Sequence, residues 1–146
     1  MKRGEIYLSP KFLCMDGEVA KKYVIALCDC TTKEPACVVK TTSVEKPWRF
    51  EPEGCFLKPK RAYYAIPAKR DWFPLKTYVQ FDEIHEYTIG KIRVESQSNN
   101  LIKQGQLSEQ ILNAILNCVK HSKDISPYHL KLIYPARKMT PIKLKP

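Results

Sequence analysis

The chain has 146 residues, of which 44% are hydrophobic, enough for one domain that buries roughly 70% of its unfolded surface. No apolar run reaches the roughly 18 residues of a membrane-spanning helix, and the opening Met1-Lys2-Arg3-Gly4-Glu5 lacks the apolar centre of a signal peptide, so a cytoplasmic protein with no membrane segment is expected. Lys and Arg total 25 against 15 Asp and Glu, a net charge of +10, which suits a polyanionic partner such as nucleic acid and equally serves plain solubility.

Residues 5–8 alternate polar and apolar side chains, and residues 23–28 are continuously apolar, as in a central strand buried on both faces. Between them residues 9–22, with Pro10, Asp16 and Gly17, are expected as a connection longer than a tight hairpin, a place where small β domains often bind. Residues 37–43, 63–66, 78–81 and 92–95 complete the predicted strands, because they are short, rich in β-branched and aromatic side chains, and separated by Gly, Pro and charge. The pattern predicts a compact β-barrel or sandwich.

Ser108 is a good N-cap, and Ile111, Leu112, Ile115, Leu116 and Val119 fall on one helical stripe, with Lys120 and His121 complementing the C-terminal dipole. After Ser122, Pro127, Pro135, Pro141 and Pro146 interrupt any long element; residues 130–134 are expected as an edge strand, and those beyond Arg137 as a basic arm. The expected organisation is a mainly β domain with a C-terminal helix (α+β) over residues 1–121, followed by a basic extension over 122–146.

Residues 58–70 hold Lys58, Lys60, Arg61, Lys69 and Arg70 without an acid, interleaved with Tyr63 and Tyr64 and flanked by Trp48, Arg49, Phe50, Trp72 and Phe73. Cations hold phosphates while aromatic faces stack unpaired bases, so the segment suits single-stranded RNA or DNA. A basic hairpin whose aromatics cover the core explains it equally well. Cys28, Cys30, Cys37 and Cys55 would supply four thiolates for zinc, but the paired two-to-four-residue gaps of structural sites are missing, and buried strand cysteines are preferred. No metal site and no cofactor are expected. In a short exported chain six cysteines would suggest disulfides; with nothing pointing to export, all six, Cys14 and Cys118 included, are expected as reduced thiols. His85, His121 and His129 are scattered, His85 reads as a structural histidine near a strand end, and no nucleophile elbow, phosphate loop or His-Glu-x-x-His occurs.

Several separated segments fall in the order of one family. Lys2-Arg3-Gly4-Glu5-Ile6-Tyr7-Leu8 resembles the opening strand of the MazF/PemK toxins. Lys22-Tyr23-Val24-Ile25-Ala26-Leu27 follows where that family has Arg-Pro and an aliphatic run, and Val39-Lys40-Thr41-Thr42-Ser43 resembles the next strand, ending in Thr-Ser. Thr77-Tyr78-Val79-Gln80-Phe81-Asp82-Glu83-Ile84 resembles a later strand, and Gly105-Gln106-Leu107-Ser108 the junction into the closing helix. The resemblance covers about residues 1–121 and implies a small SH3-like β-barrel, usually a homodimer, that cleaves single-stranded RNA without metal and is held inactive by a cognate antitoxin protein.

In that chemistry a ribose 2′-hydroxyl attacks the neighbouring phosphate, so a site must take a proton, return one to the leaving oxygen, and stabilise a crowded anionic phosphorane. The resemblance places Lys22 at the family's catalytic Arg, Thr42 and Ser43 at its hydroxyl pair, and Asp82 at an acid found in some members. Lys22 keeps the charge but not the planar fork of Arg, Tyr23 replaces the following Pro, and Gln80 stands where some relatives carry a further Arg. Lys21, Arg49, Lys58, Lys60, Arg61, Tyr63, Lys69 and Arg70 are the expected RNA contacts. The alternative is a non-catalytic module of the same fold that binds nucleic acid or a protein, and a third reading puts the main contact in the basic tail.

Overall fold

The computed structural model describes residues 1–46, 53–59 and 61–135. The strands are β1 (Glu5–Leu13), β2 (Val19–Ala26), β3 (Ala36–Thr42), β4 (Gly54–Phe56), β5 (Tyr63–Ile66), β6 (Thr77–Gln80), β7 (His85–Tyr87) and β8 (Ile102–Gln106); the helices are α1 (Ile89–Gln97), α2 (Glu109–His121) and α3 (Pro127–Ile133). The fold is a mainly antiparallel β-sheet with three helices, an α+β class. The strand order is β4-β5-β6-β3-β2-β1-β8, with β7 pairing a second stretch of the β3 edge that β6 also uses. Among the described residues no ladder joins β4 to β8, so the expected barrel is corrected to an open sheet.

The sheet is packed on both faces. On one side Ile6, Ile25, Val39, Val79 and Phe81 meet Ile111, Ile115 and Val119 of α2 and Ile133 of α3. On the other, Phe12, Val24, Val38, Tyr87 and Leu101 form a smaller cluster. Full burial of an aliphatic or aromatic side chain is worth roughly 1.5–3 kcal/mol, so these strands and α2 carry most of the stability. As expected, Ser108 caps α2, its side chain accepting from the Ile111 N–H.

Four local expectations are corrected. Residues 9–22 are not a long loop: β1 continues through Pro10 to Leu13 and turns back at once, the missing N–H of proline being accommodated where the register slips between Ser9 and Phe12. Residues 92–95 lie in α1, not a strand, because Thr88 caps the segment by accepting from the Lys91 N–H at 3.1 Å. Residues 130–134 form no edge strand: Ser126 accepts from the His129 N–H, Pro127 occupies the first helical turn where proline is favourable, and α3 results. Leu132 and Ile133 are buried in the main core, so α3 packs into the same unit as α2 and the sheet. The arm beyond Arg137 lies outside the described residues.

Finally, the cysteines are not all reduced: Cys55 on β4 and Cys118 on α2 form a disulfide, tying the end strand of the sheet to the helix. No helix among the described residues is long and apolar enough to cross a membrane.

Candidate functional site

β2 and β3 are paired only as far as Val24 and Lys40. Beyond that point β3 turns toward β6, and a gap opens between residues 21–23 of β2 and residues 41–43 at the end of β3. One hydrogen bond spans it, from the Thr41 hydroxyl to the Tyr23 carbonyl at 2.8 Å. The gap widens into a cavity of about 560 Å³ lined by Lys21, Lys22, Thr42, Ser43, Trp72 and Gln104 among others. Three of the four positions carried over as catalytic, Lys22, Thr42 and Ser43, therefore open on one space, joined by Lys21.

Each wall has a local cause. Lys22 is half-buried and Lys21 exposed, and both line the cavity from adjacent positions of β2. Thr42 is buried, and its Oγ1 accepts from the Val44 N–H at 3.2 Å, which leaves its O–H proton to donate. Ser43 is exposed beside it. Opposite stand Trp72 and Tyr23, edge to face at 5.3 Å, with Phe73 behind. Gly105 makes the packing of Trp72 possible, since a Cβ there would lie 2.5 Å from the indole ring.

The remaining predicted residues that the structure describes do not line this cavity. Asp82 is exposed and is not among its lining residues; its charge acts on Lys40. Arg70 pairs with Glu53 at 3.1 Å, and Lys69 sits in the adjoining turn with φ at 60°. Lys58 borders a separate cavity with His121 and Asp124, and Arg61 is exposed at the start of β5. Tyr63 is 2% exposed and packs against Phe56 and Tyr78, so its ring covers the core rather than offering a face to a base. Arg49 and Lys60 lie outside the described residues. No group of three or more metal-ligating side chains occurs among the described residues: Cys28 and Cys37 adjoin, the Cys37 N–H donating to Cys28 Sγ at 3.2 Å, whereas Cys55 is committed to Cys118.

A second arrangement was not expected. In the connection from β6 to β7, Glu83 receives Lys40 Nζ at 2.8 Å, His85 Nε2 at 2.6 Å and the Met15 N–H at 3.1 Å. Burial alone would raise the Glu83 carboxyl, but these three donors outweigh it and hold it below its ordinary range. Burial likewise opposes the charge on Lys40, and Glu83 with Asp82 restores it and lifts the ammonium above its ordinary range. The only sequence signal for this network was the Glu83-x-His85 spacing, which puts both side chains on one face of an extended segment.

Comparison of the chain with protein-family models, with curated proteins and with solved structures finds no match.

Proposed function

We propose that the chain is a metal-independent endoribonuclease of the MazF/PemK type, cutting single-stranded RNA in the cavity between β2 and β3. The observation that carries this proposal is the convergence of Lys22, Thr42 and Ser43, from segments 20 residues apart in the chain, on one cavity with an aromatic wall. A phosphate seated against Lys21 and Lys22 has its charge matched; the 2′-oxygen bonds to phosphorus as its proton passes to water, the Thr42 and Ser43 hydroxyls donate to the non-bridging oxygens of the phosphorane, and the P–O5′ bond then breaks as the 5′ oxygen takes a proton from water. Trp72 and Tyr23 offer the flanking base an aromatic surface, which every base accepts and which pairing would hide. Resemblance to those toxins extends the proposal to an SH3-like fold, a homodimer and an antitoxin protein as partner.

Purified protein incubated with mixed single-stranded RNA in EDTA is expected to leave fragments ending in 2′,3′-cyclic phosphate, with the cuts lost in Thr42→Ala. RNA that stays intact would reject the catalytic form of the proposal. Two observations favour a second reading, a module that binds RNA without cutting it: an ammonium stands in place of a guanidinium at Lys22, and Asp82 lies off the cavity. Its signature is binding that weakens steeply with salt and yields no fragments.

A further inference from the structure

A larger cleft, of about 650 Å³, lies between the tip of the β1–β2 hairpin and α1, and none of the residues carried over as catalytic lines it. His85 stands in its wall. Glu83 fixes the imidazole through Nε2, and because that carboxylate is ionised and already accepts from Lys40, Nε2 must be the protonated nitrogen. The other ring nitrogen, Nδ1, makes no hydrogen bond to any described residue. Phe12 holds the ring edge to face at 4.6 Å.

The cleft is rigidly framed. Asn100 accepts from the Lys11 N–H at 2.7 Å, donates to the Lys11 carbonyl, and bonds the Glu95 carboxylate at 2.8 Å, so the end of α1 is stapled to β1. Lys11 and Lys91 are exposed on opposite sides, Lys91 Nζ lying 4.5 Å from the centre of the Tyr87 ring. Of the carboxylates near the space, Glu83, Glu95 and Asp16 each accept from donors of the protein. Leu13, Met15 and Val94 border the opening and are more than 60% exposed. Burial pushes the Cys14 thiol up, so it stays protonated and contributes shape rather than a nucleophile. Ser9, which lines this cleft, pairs with Lys22, which lines the β2–β3 cavity, so the two spaces adjoin across the β1–β2 ladder.

We infer that this cleft is a second nucleotide subsite, in which Lys11 and Lys91 meet a phosphate, His85 Nδ1 accepts from a base N–H, and Leu13, Met15 and Val94 contact the sugar and base of an RNA strand continuing from the first cavity. The inference rests on the single-stranded RNA proposal. A ligand with a charged group and an apolar body fits the mixture of exposed lysines and exposed apolar side chains, and neither half alone uses both.

The test uses a labelled single-stranded oligonucleotide with deoxyribose sugars, which binds without being cut, and follows its affinity together with the His85 ring signals in NMR spectra. The expected result is that the His85 signals move on titration with the oligonucleotide, and that the exposed-site variants Lys11→Gln and Lys91→Gln each weaken binding three- to tenfold while remaining folded. Unmoved His85 signals with wild-type affinity in both variants would overturn the second subsite, and loss of binding in Lys22→Ala would then leave the first cavity standing. His85 signals that respond to inorganic phosphate but not to the oligonucleotide would overturn it also. No binding by the wild-type protein at low salt would remove the RNA proposal and this one together.

Discussion

Asp71 and Ser108 hold each other across 37 residues of sequence: the Asp71 carboxylate accepts from the Ser108 hydroxyl at 2.8 Å and from its backbone N–H at 3.1 Å. The same carboxylate accepts from the Trp72 N–H at 2.7 Å. One side chain thus fastens the aromatic wall of the β2–β3 cavity to the N-terminus of α2. Asp71→Ala is expected to cost about 1 kcal/mol, the usual net value of a lost hydrogen bond, and to lower the melting temperature by about 3 °C. It should also weaken RNA binding several-fold. An unchanged melting curve and unchanged affinity would show that the wall does not depend on this link.

Gly105 is where β8 admits the Trp72 indole. A methyl group there meets the ring at 2.5 Å, with Trp72 Nε1 only 2.6 Å away, so Gly105→Ala forces the ring out of place at a cost of about 1–3 kcal/mol. Displaced toward water, Trp72 should emit at longer wavelength, and affinity for single-stranded RNA should fall. Emission and binding identical to wild type would contradict the packing described.

Glu5 gives the fold a dependence on acid. Burial raises its carboxyl, but Lys103, the Tyr7 hydroxyl and the Lys2 N–H together outweigh burial and lower it from 4.5 to about 2. A carboxylate held below its unfolded value stabilises the fold above that value, and the contribution fades as the pH drops toward 2. It amounts to about 3 kcal/mol at neutral pH. Glu5→Gln should lower stability at pH 7 and flatten the stability profile between 4.5 and 2, as followed by denaturant midpoints. A mutant profile parallel to wild type would remove this role.

The Cys55–Cys118 disulfide joins residues 63 apart in the chain. Denatured protein that has met no reductant is therefore expected to show four reactive thiols, those of Cys14, Cys28, Cys30 and Cys37, whereas six would mean that the bridge does not form. Closing a loop of that length is worth about 4 kcal/mol in the chain-entropy account, so reduction should lower the denaturant midpoint substantially.

Signals confined to a few neighbouring residues were legible in the sequence. Ser108 followed by apolar residues at helical spacing defined α2, and the β-branched and aromatic stretches at residues 37–43 and 63–66 gave β3 and β5. Ile92 and Val94 alternate with charged neighbours like a half-buried strand, yet the Thr88 cap starts a helix and the segment is α1. Pro127 read as a breaker where it begins a helix. Which strands pair is decided by contacts remote in sequence, so the open strand order, the bridge from Cys55 to Cys118 and the gap between Tyr23 and Thr41 were not written locally. Lys22, Thr42 and Ser43 were singled out through family resemblance. In the sequence Trp72 is only an aromatic flank of the basic segment, because nothing in the chain announces that Gly105 draws it to β8.

The cavity lined by Lys22, Thr42 and Ser43 is proposed to do the chemistry on RNA. The most direct measurement is the single-turnover cleavage rate of a defined single-stranded RNA in EDTA, compared among wild type, Thr42→Ala, Lys22→Ala and Lys22→Arg. Loss of at least tenfold in the two alanine variants, with cleavage retained or raised in Lys22→Arg, is the predicted result. Cleavage that persists unchanged in both alanine variants, or RNA left intact by wild type and Lys22→Arg alike, would contradict it.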